Sequence, residues 1–130
     1  MKKIVLFLFF LLFSTFTAMS QKIYDASGRV LVKFDGDYVE DANGRRIGRI
    51  NGDYIEDANG RRLGRLDGNY VNDANGRRIG SVDGDYLNDA GGRRVAKLDG
   101  EYINDGSGRR IARSESFRRK LSIIFVYFFY

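Results

Sequence analysis

Residues 35–50 read DGDYVEDANGRRIGRI, and residues 51–66 read NGDYIEDANGRRLGRL. Three more units, 67–82, 83–98 and 99–114, follow without insertion or deletion, each carrying G-x-Y, a central Asp, G-R-R, a branched apolar residue and then Gly or Ala. In that frame each unit ends on Ile, Val or Leu, and the one departure is Ser114 in the fifth unit. A fixed short period of this kind is the signature of a repeat architecture. A shorter copy precedes the five, at 21–34, where Asp25, Gly28, Arg29, Leu31 and Phe34 align with Asp41, Gly44, Arg45, Ile47 and Ile50.

Each unit has room for two short strands and two turns, and both turn signals are present. Pairs such as Asp35-Gly36 and Asn51-Gly52 favour two-residue turns, because glycine tolerates a positive φ. At the other end of the hairpin, Ala42-Asn43-Gly44 reads as a three-residue loop with glycine at a left-handed bulge position. That loop predicts Asp41 opposite Arg45, Glu40 opposite Arg46, Val39 opposite Ile47, Tyr38 opposite Gly48 and Asp37 opposite Arg49. The same register pairs Asp53 with Arg65, Asp85 with Lys97 and Glu101 with Arg113, and lays each tyrosine over a small residue, Gly64, Gly80, Ala96 or Ala112 in the later units. Cross-strand pairs of this kind contribute roughly 0.2–1 kcal/mol each.

One such hairpin cannot bury enough apolar surface to stand alone, so the units must stack or close. The expected fold is all-β, with 16-residue β-hairpin repeats arranged radially; the alternative is a linear β-hairpin solenoid. Near-equal units favour closure, which removes exposed strand edges. With their G-x-Y, central Asp and G-R-R-[IVL]-[GA] signature, the units resemble the small bacterial proteins described as five-fold β-flowers, in which hairpins radiate about an axis. The resemblance covers about residues 21–114 and extends to the tail. It implies the radial fold and an exported location, and it supplies no catalytic residues. The Tyr-x-x-Asp-Ala-Asn-Gly stretch is also similar to the hairpins of choline-binding repeats, but those use tryptophan cages and this chain has no Trp.

The repeat domain, 21–114, lies between two apolar segments. Residues 1–20 read as a signal peptide: Lys2 and Lys3, an apolar run from Ile4 to Phe13, and Ala18-Met19-Ser20 as a small-residue cleavage site. The expected location is therefore periplasmic or extracellular. At the other end, 115–130 reads as a basic linker, Arg118-Arg119-Lys120, leading into an uncharged run from Leu121 to Tyr130. Such a run is β-prone and an aggregation hazard when exposed. It is expected to form a final strand packed into or across the ring, with membrane contact through 121–130 as the less favoured reading.

Composition narrows the chemistry. The chain has no Cys and no His, which removes disulfides, thiolate catalysis, Cys-based zinc sites and the usual general base near neutral pH. No cofactor, no metal site and no enzymatic activity are expected. The Asp-x-Asn-Gly loops share residue types with calcium loops, but Arg45 and Arg46 follow at once, and local turn chemistry accounts for the side chains. Net charge is +5, or +3 once Lys2 and Lys3 are set aside, and it is spread over the repeats. Nucleic acid is not an expected partner. The candidate binding residues are the repeated Tyr38, Tyr54, Tyr70, Tyr86 and Tyr102, beside Arg46, Arg62, Arg78, Arg94 and Arg110. Together they could stack sugars and hold anions. The reading preferred over glycan or cell-wall binding is a non-catalytic structural or interaction module of the cell envelope, whose partner would be an envelope glycan or protein. In it the tyrosines serve as packing and the arginines pair with Glu40, Glu56, Asn72, Asn88 and Asn104.

Overall fold

The computed structural model describes residues 20–116 and 118–130, so the expected signal peptide lies outside the described residues except for Ser20, which begins the first strand. Twelve strands are present among the described residues: β1 (Ser20–Asp25), β2 (Val30–Asp35), β3 (Tyr38–Asp41), β4 (Arg46–Asn51), β5 (Tyr54–Asp57), β6 (Arg62–Asp67), β7 (Tyr70–Asp73), β8 (Arg78–Asp83), β9 (Tyr86–Asp89), β10 (Arg94–Asp99), β11 (Tyr102–Asp105) and β12 (Arg110–Ser114). Neighbours in sequence pair antiparallel, and β12 pairs with β1, which closes the barrel. The repeats therefore form a ring rather than a linear stack, and the short leading copy supplies a complete hairpin to it.

The wider loop forms where the sequence places it, and the tight turn forms one residue later than expected, on Gly36-Asp37. At the wider loop the Asp41 N–H donates to the Arg45 carbonyl at 2.8 Å, the Gly44 N–H donates to the Asp41 carbonyl at 3.1 Å, and Gly44 has φ 83°. At the tighter turn Asp35 faces Tyr38, and Gly36, the first loop residue, has φ 62°. No residue other than glycine has positive φ among those described, so only the first loop position is left-handed; this matches a type II′ turn, whereas a type I′ turn needs both central residues there.

The register inside each repeat differs from the expected one by a single residue. Glu40 faces Arg46 as predicted, but a β-bulge follows, and beyond it Val39 faces Gly48 and Tyr38 faces Arg49. The same shift recurs in the later repeats, with Tyr54 opposite Arg65 and Tyr102 opposite Arg113. The bulge takes Ile47 out of the ladder, and this lets Arg46 point outward while Gly48, only two residues on, points inward. The tyrosines therefore do not cover the small residues, and the expected facing pair Asp53 with Arg65 does not form. Asp53 lies instead 3.8 Å from Lys120, and Asp85 lies 3.5 Å from Arg119.

The inner face carries Ile23, Val39, Ile55, Val71, Leu87 and Ile103, all buried, and the C-terminal segment fills the space between them. That segment is helical where a strand was expected: α1 (Arg119–Ile124) continues as a π-helical turn, Phe125–Phe129. A closed ladder offers no free edge to a thirteenth strand, whereas a helix bonds its own N–H and C=O groups and needs none. Ile124 and Phe125 are fully buried. The small inner residues are seats for its side chains. A Cβ added to Gly48 would lie 2.6 Å from the Phe129 ring and 2.9 Å from the Glu56 carbonyl, and Gly64 and Gly80 stand equally close to Phe128 and Tyr127. At the same position, the hairpins that carry Ala96 and Ala112 accept a methyl group.

Ser114, the odd residue of the repeat pattern, belongs to the seam where the ring closes. Its buried hydroxyl accepts a hydrogen bond from the buried Gln21 amide, which also reaches the Ser116 carbonyl at 2.6 Å, and the Glu115 N–H donates to the Lys22 carbonyl at 2.8 Å. No buried side-chain polar atom among the described residues lacks a partner. A buried polar pair that is fully satisfied avoids the desolvation penalty and selects one closing partner.

The seating of the helix can be tested by a double-mutant cycle. Gly48→Ala should lower unfolding free energy by about 1–3 kcal/mol through overpacking, and the cost should shrink when Phe129→Ala is also present. Additive losses in urea unfolding would show that the ring and the glycine do not meet.

Candidate functional site

The outer wall carries the repeated tyrosines and arginines, and the bulge sets how they meet. By turning Arg46 outward beside Tyr38, it places the guanidinium carbon 3.4 Å from the ring centroid. The arrangement recurs at 3.7 Å for Arg62 on Tyr54, 3.4 Å for Arg78 on Tyr70, 3.3 Å for Arg94 on Tyr86 and 3.5 Å for Arg110 on Tyr102. All ten candidate residues therefore lie on one surface, pair by pair. The arginines stand opposite Glu40, Glu56, Asn72, Asn88 and Asn104 in the ladder, as expected, but their charge rests on the aromatic faces. A second cation approaches three of the rings, Arg49 at 6.0 Å, Arg65 at 5.5 Å and Lys97 at 5.6 Å. In the third repeat Ser81 occupies that place, and Tyr70 is left 42% exposed. Arg49 also lies 3.9 Å from Glu56 on the next hairpin.

The loops present a different surface at one end of the barrel. In each, the aspartate that starts the loop turns its carboxylate onto the backbone: Asp41 Oδ1 accepts from the N–H groups of Asn43 and Arg45, both at 2.9 Å. The same pair of bonds forms at Asp25, Asp57, Asp73, Asp89 and Asp105. Hydrogen bonds to the ionised form favour it. At Asp25 and Asp105 a serine hydroxyl, Ser27 or Ser107, adds a further bond and is the main cause of a pKa below the ordinary carboxylate value, with the Arg29 and Arg109 N–H groups next. The loop glycines hold the backbone for this arrangement. Among the described residues no cluster of three or more acids is placed to hold a metal ion.

The tight turns form the opposite end, where α1 enters. Asp53 and Asp85 meet Lys120 and Arg119 there, Lys120 Nζ donates to the Gly52 carbonyl at 3.1 Å, and Arg119 donates to the Gly84 carbonyl. Beside them a cleft of about 420 Å³ opens between Leu66, Val82 and Ile123. No motif singles out Tyr127, which reaches past Gly80 so that its hydroxyl lies 2.7 Å from the Asn88 carbonyl and 3.2 Å from that of Ser81. Burial pushes its pKa up to about 12. One cue was present, a glycine on the inner face, but nothing marked which ring would fill it.

Two outcomes follow. A double-mutant cycle on Tyr54→Leu and Arg62→Gln should give a coupling of about 0.5–1 kcal/mol, as for exposed cation–π pairs, while Asp53→Asn with Arg65→Gln should give none. The raised pKa of Tyr127 contributes stability that is full below about pH 10, the model-compound value, and is lost as pH rises through about 12. Thermal melts between those limits should therefore fall less steeply in Tyr127→Phe than in the parent.

A family model described as "5-fold beta-flower protein" matches residues 16–130. No match is found among curated proteins or among solved structures.

Proposed function

The chain belongs to the 5-fold beta-flower family, and on that footing we propose that it is an exported, non-catalytic structural or interaction module of the cell envelope. The observation that carries this reading is the occupation of both surfaces a barrel would use for a small ligand. Its interior is filled by its own helix, with Ile124 and Phe125 fully buried, and the tyrosine faces are covered by arginines of the same hairpins at 3.3–3.7 Å. Sugar-binding sites stack a ring on an open aromatic face. Export rests on the n-region, apolar run and small-residue site of residues 1–20.

One observation favours the glycan-binding alternative locally. Tyr70 keeps a more open ring than its counterparts, beside Asn72 and a single stacked arginine. The two readings separate in a pull-down with envelope polysaccharide, run beside Tyr54→Ala and Tyr70→Ala, together with fractionation of the expressing cells. The structural reading expects recovery outside the cytoplasm, a mature chain starting at Gln21, and weak retention unchanged by either substitution. Retention lost tenfold or more in Tyr70→Ala would replace it with the glycan reading, and a cytoplasmic chain that keeps Lys2 and Lys3 would remove export.

A further inference from the structure

We infer that the loop end of the barrel is a docking surface for the headgroup plane of an anionic lipid bilayer. Six loops place Arg29, Arg45, Arg61, Arg77, Arg93 and Arg109 around one rim, all of them exposed. Among the described residues none of these guanidinium groups has an ion pair within 4.0 Å or lies over an aromatic ring, unlike the next arginine of each full repeat. The acids nearest them are the loop aspartates, and each of those carboxylates is already bonded to two backbone N–H groups. Each full loop therefore carries one rim arginine beside one ionised aspartate tied to the loop backbone, and the second arginine lies on the adjoining wall over its tyrosine. Guanidinium groups recognise phosphate oxygens with paired N–H donors.

Three further features point to a planar surface. The rim closes on itself, so its cations can meet an extended array of anions together, while a linear polymer would touch only an arc. Exposed apolar groups sit at the same end: Tyr130, 70% exposed, lies beside Ala26 and Ile111, and Val95, 36% exposed, directly follows the Arg93-Arg94 pair. Tyrosine at the headgroup level and arginine at phosphates are the side chains favoured in that zone. The opposite end presents Asp35, Asp37, Asp67, Asp83, Asp99 and Glu101 on its tight turns, all exposed, and with Asp53 and Asp85 these acids outnumber Arg118, Arg119 and Lys120 there, so a negative surface repels that end and orients the molecule rim-down. Among the described residues no helix is long and apolar enough to cross a membrane, and the contact proposed is superficial. The inference holds for an anionic leaflet on either side of a membrane and does not rest on export.

The test is co-sedimentation of the full chain with vesicles of phosphatidylcholine alone or mixed with phosphatidylglycerol. Binding should require the anionic lipid and weaken as salt shortens the Debye length. The triple variant Arg45→Gln, Arg61→Gln, Arg77→Gln should bind about 100-fold more weakly, at roughly tenfold or less per cation near the surface. A wall triple that removes equal charge, Lys33→Gln, Arg65→Gln, Lys97→Gln, should change binding by about threefold or less, and Arg→Lys at the three loop positions should largely restore it. Equal losses in the rim and wall triples would reduce the effect to net charge and overturn the proposal. So would binding to heparin or single-stranded DNA that exceeds vesicle binding and is lost with the same rim triple. If the rim triple fails to melt cooperatively, the parent and the lysine variant decide the matter: vesicle binding that is absent, or indifferent to salt, ends it.

Discussion

Closing the hydrogen-bond ladder fixes nearly everything else in this molecule. Once β12 pairs with β1, every strand has two neighbours and the backbone has no edge to offer, inside or out. The ring then encloses a space lined by the inward residues of short strands, one or two from each, and those side chains alone are too few to fill it to the density of a protein interior. The filler must be apolar, and it must satisfy its own backbone. A helix meets both conditions, which explains why Leu121 to Phe129, rich in β-prone residues, is helical here. Local preference for the extended state is a weak bias, and burial of several large side chains at roughly 1.5–3 kcal/mol each outweighs it.

The filler in turn dictates sequence on the wall. Three hairpins keep glycine at the inner position because an aromatic ring occupies the place of a side chain, and Ala96 and Ala112 stand in two other repeats at that position. The π-helical turn widens the helix where Phe128 and Phe129 diverge toward different hairpins. Pattern drift among near-identical repeats is thus an imprint of one asymmetric helix on a symmetric ring. Ser114 is the same kind of imprint, left by the seam: the repeat wants an aliphatic residue there, and the closing contact with Gln21 wants a hydroxyl.

Much of the ring was legible in the sequence, because turns are local. Glycine at a left-handed position and an Asx side chain bonding its own loop leave marks within five residues: the loop at 42–44 forms as read, and the tight turn forms around Gly36 one residue later than read. The bulge was not legible, since an extra residue in one strand changes no residue type; Val39 opposite Ile47 and Tyr38 over Gly48 are chemically as sensible as the pairs that form. One residue of slip takes each tyrosine off its expected glycine or alanine and leaves its ring under an arginine of the same hairpin, and so changes what the candidate site is made of. The helix was illegible for a different reason. An uncharged run from Leu121 to Tyr130 has no polar face and therefore no period to distinguish a helix from a buried strand.

The slip also bears on how the wall spends its charge. Were Arg46 bonded chiefly to Glu40 across the strand, Tyr38 would be free to stack a ligand; with the bulge, the guanidinium lies on the ring at 3.4 Å, and the pair shields its own aromatic surface from water. Ring after ring, the wall consumes its cations in this way, while each loop ties one oxygen of its aspartate to backbone N–H groups. What remains uncommitted is the arginine next to each loop glycine. The repeat thus sorts two adjacent arginines into different roles by one backbone irregularity: the first of the pair stands at the rim, and the second is folded back along the wall. A barrel built in this way differs along its axis: each rim arginine at the loop end stands beside one backbone-bonded aspartate, while acids dominate the turn end, where Arg119 and Lys120 meet Asp85, Asp53 and the Gly84 and Gly52 carbonyls as the helix enters.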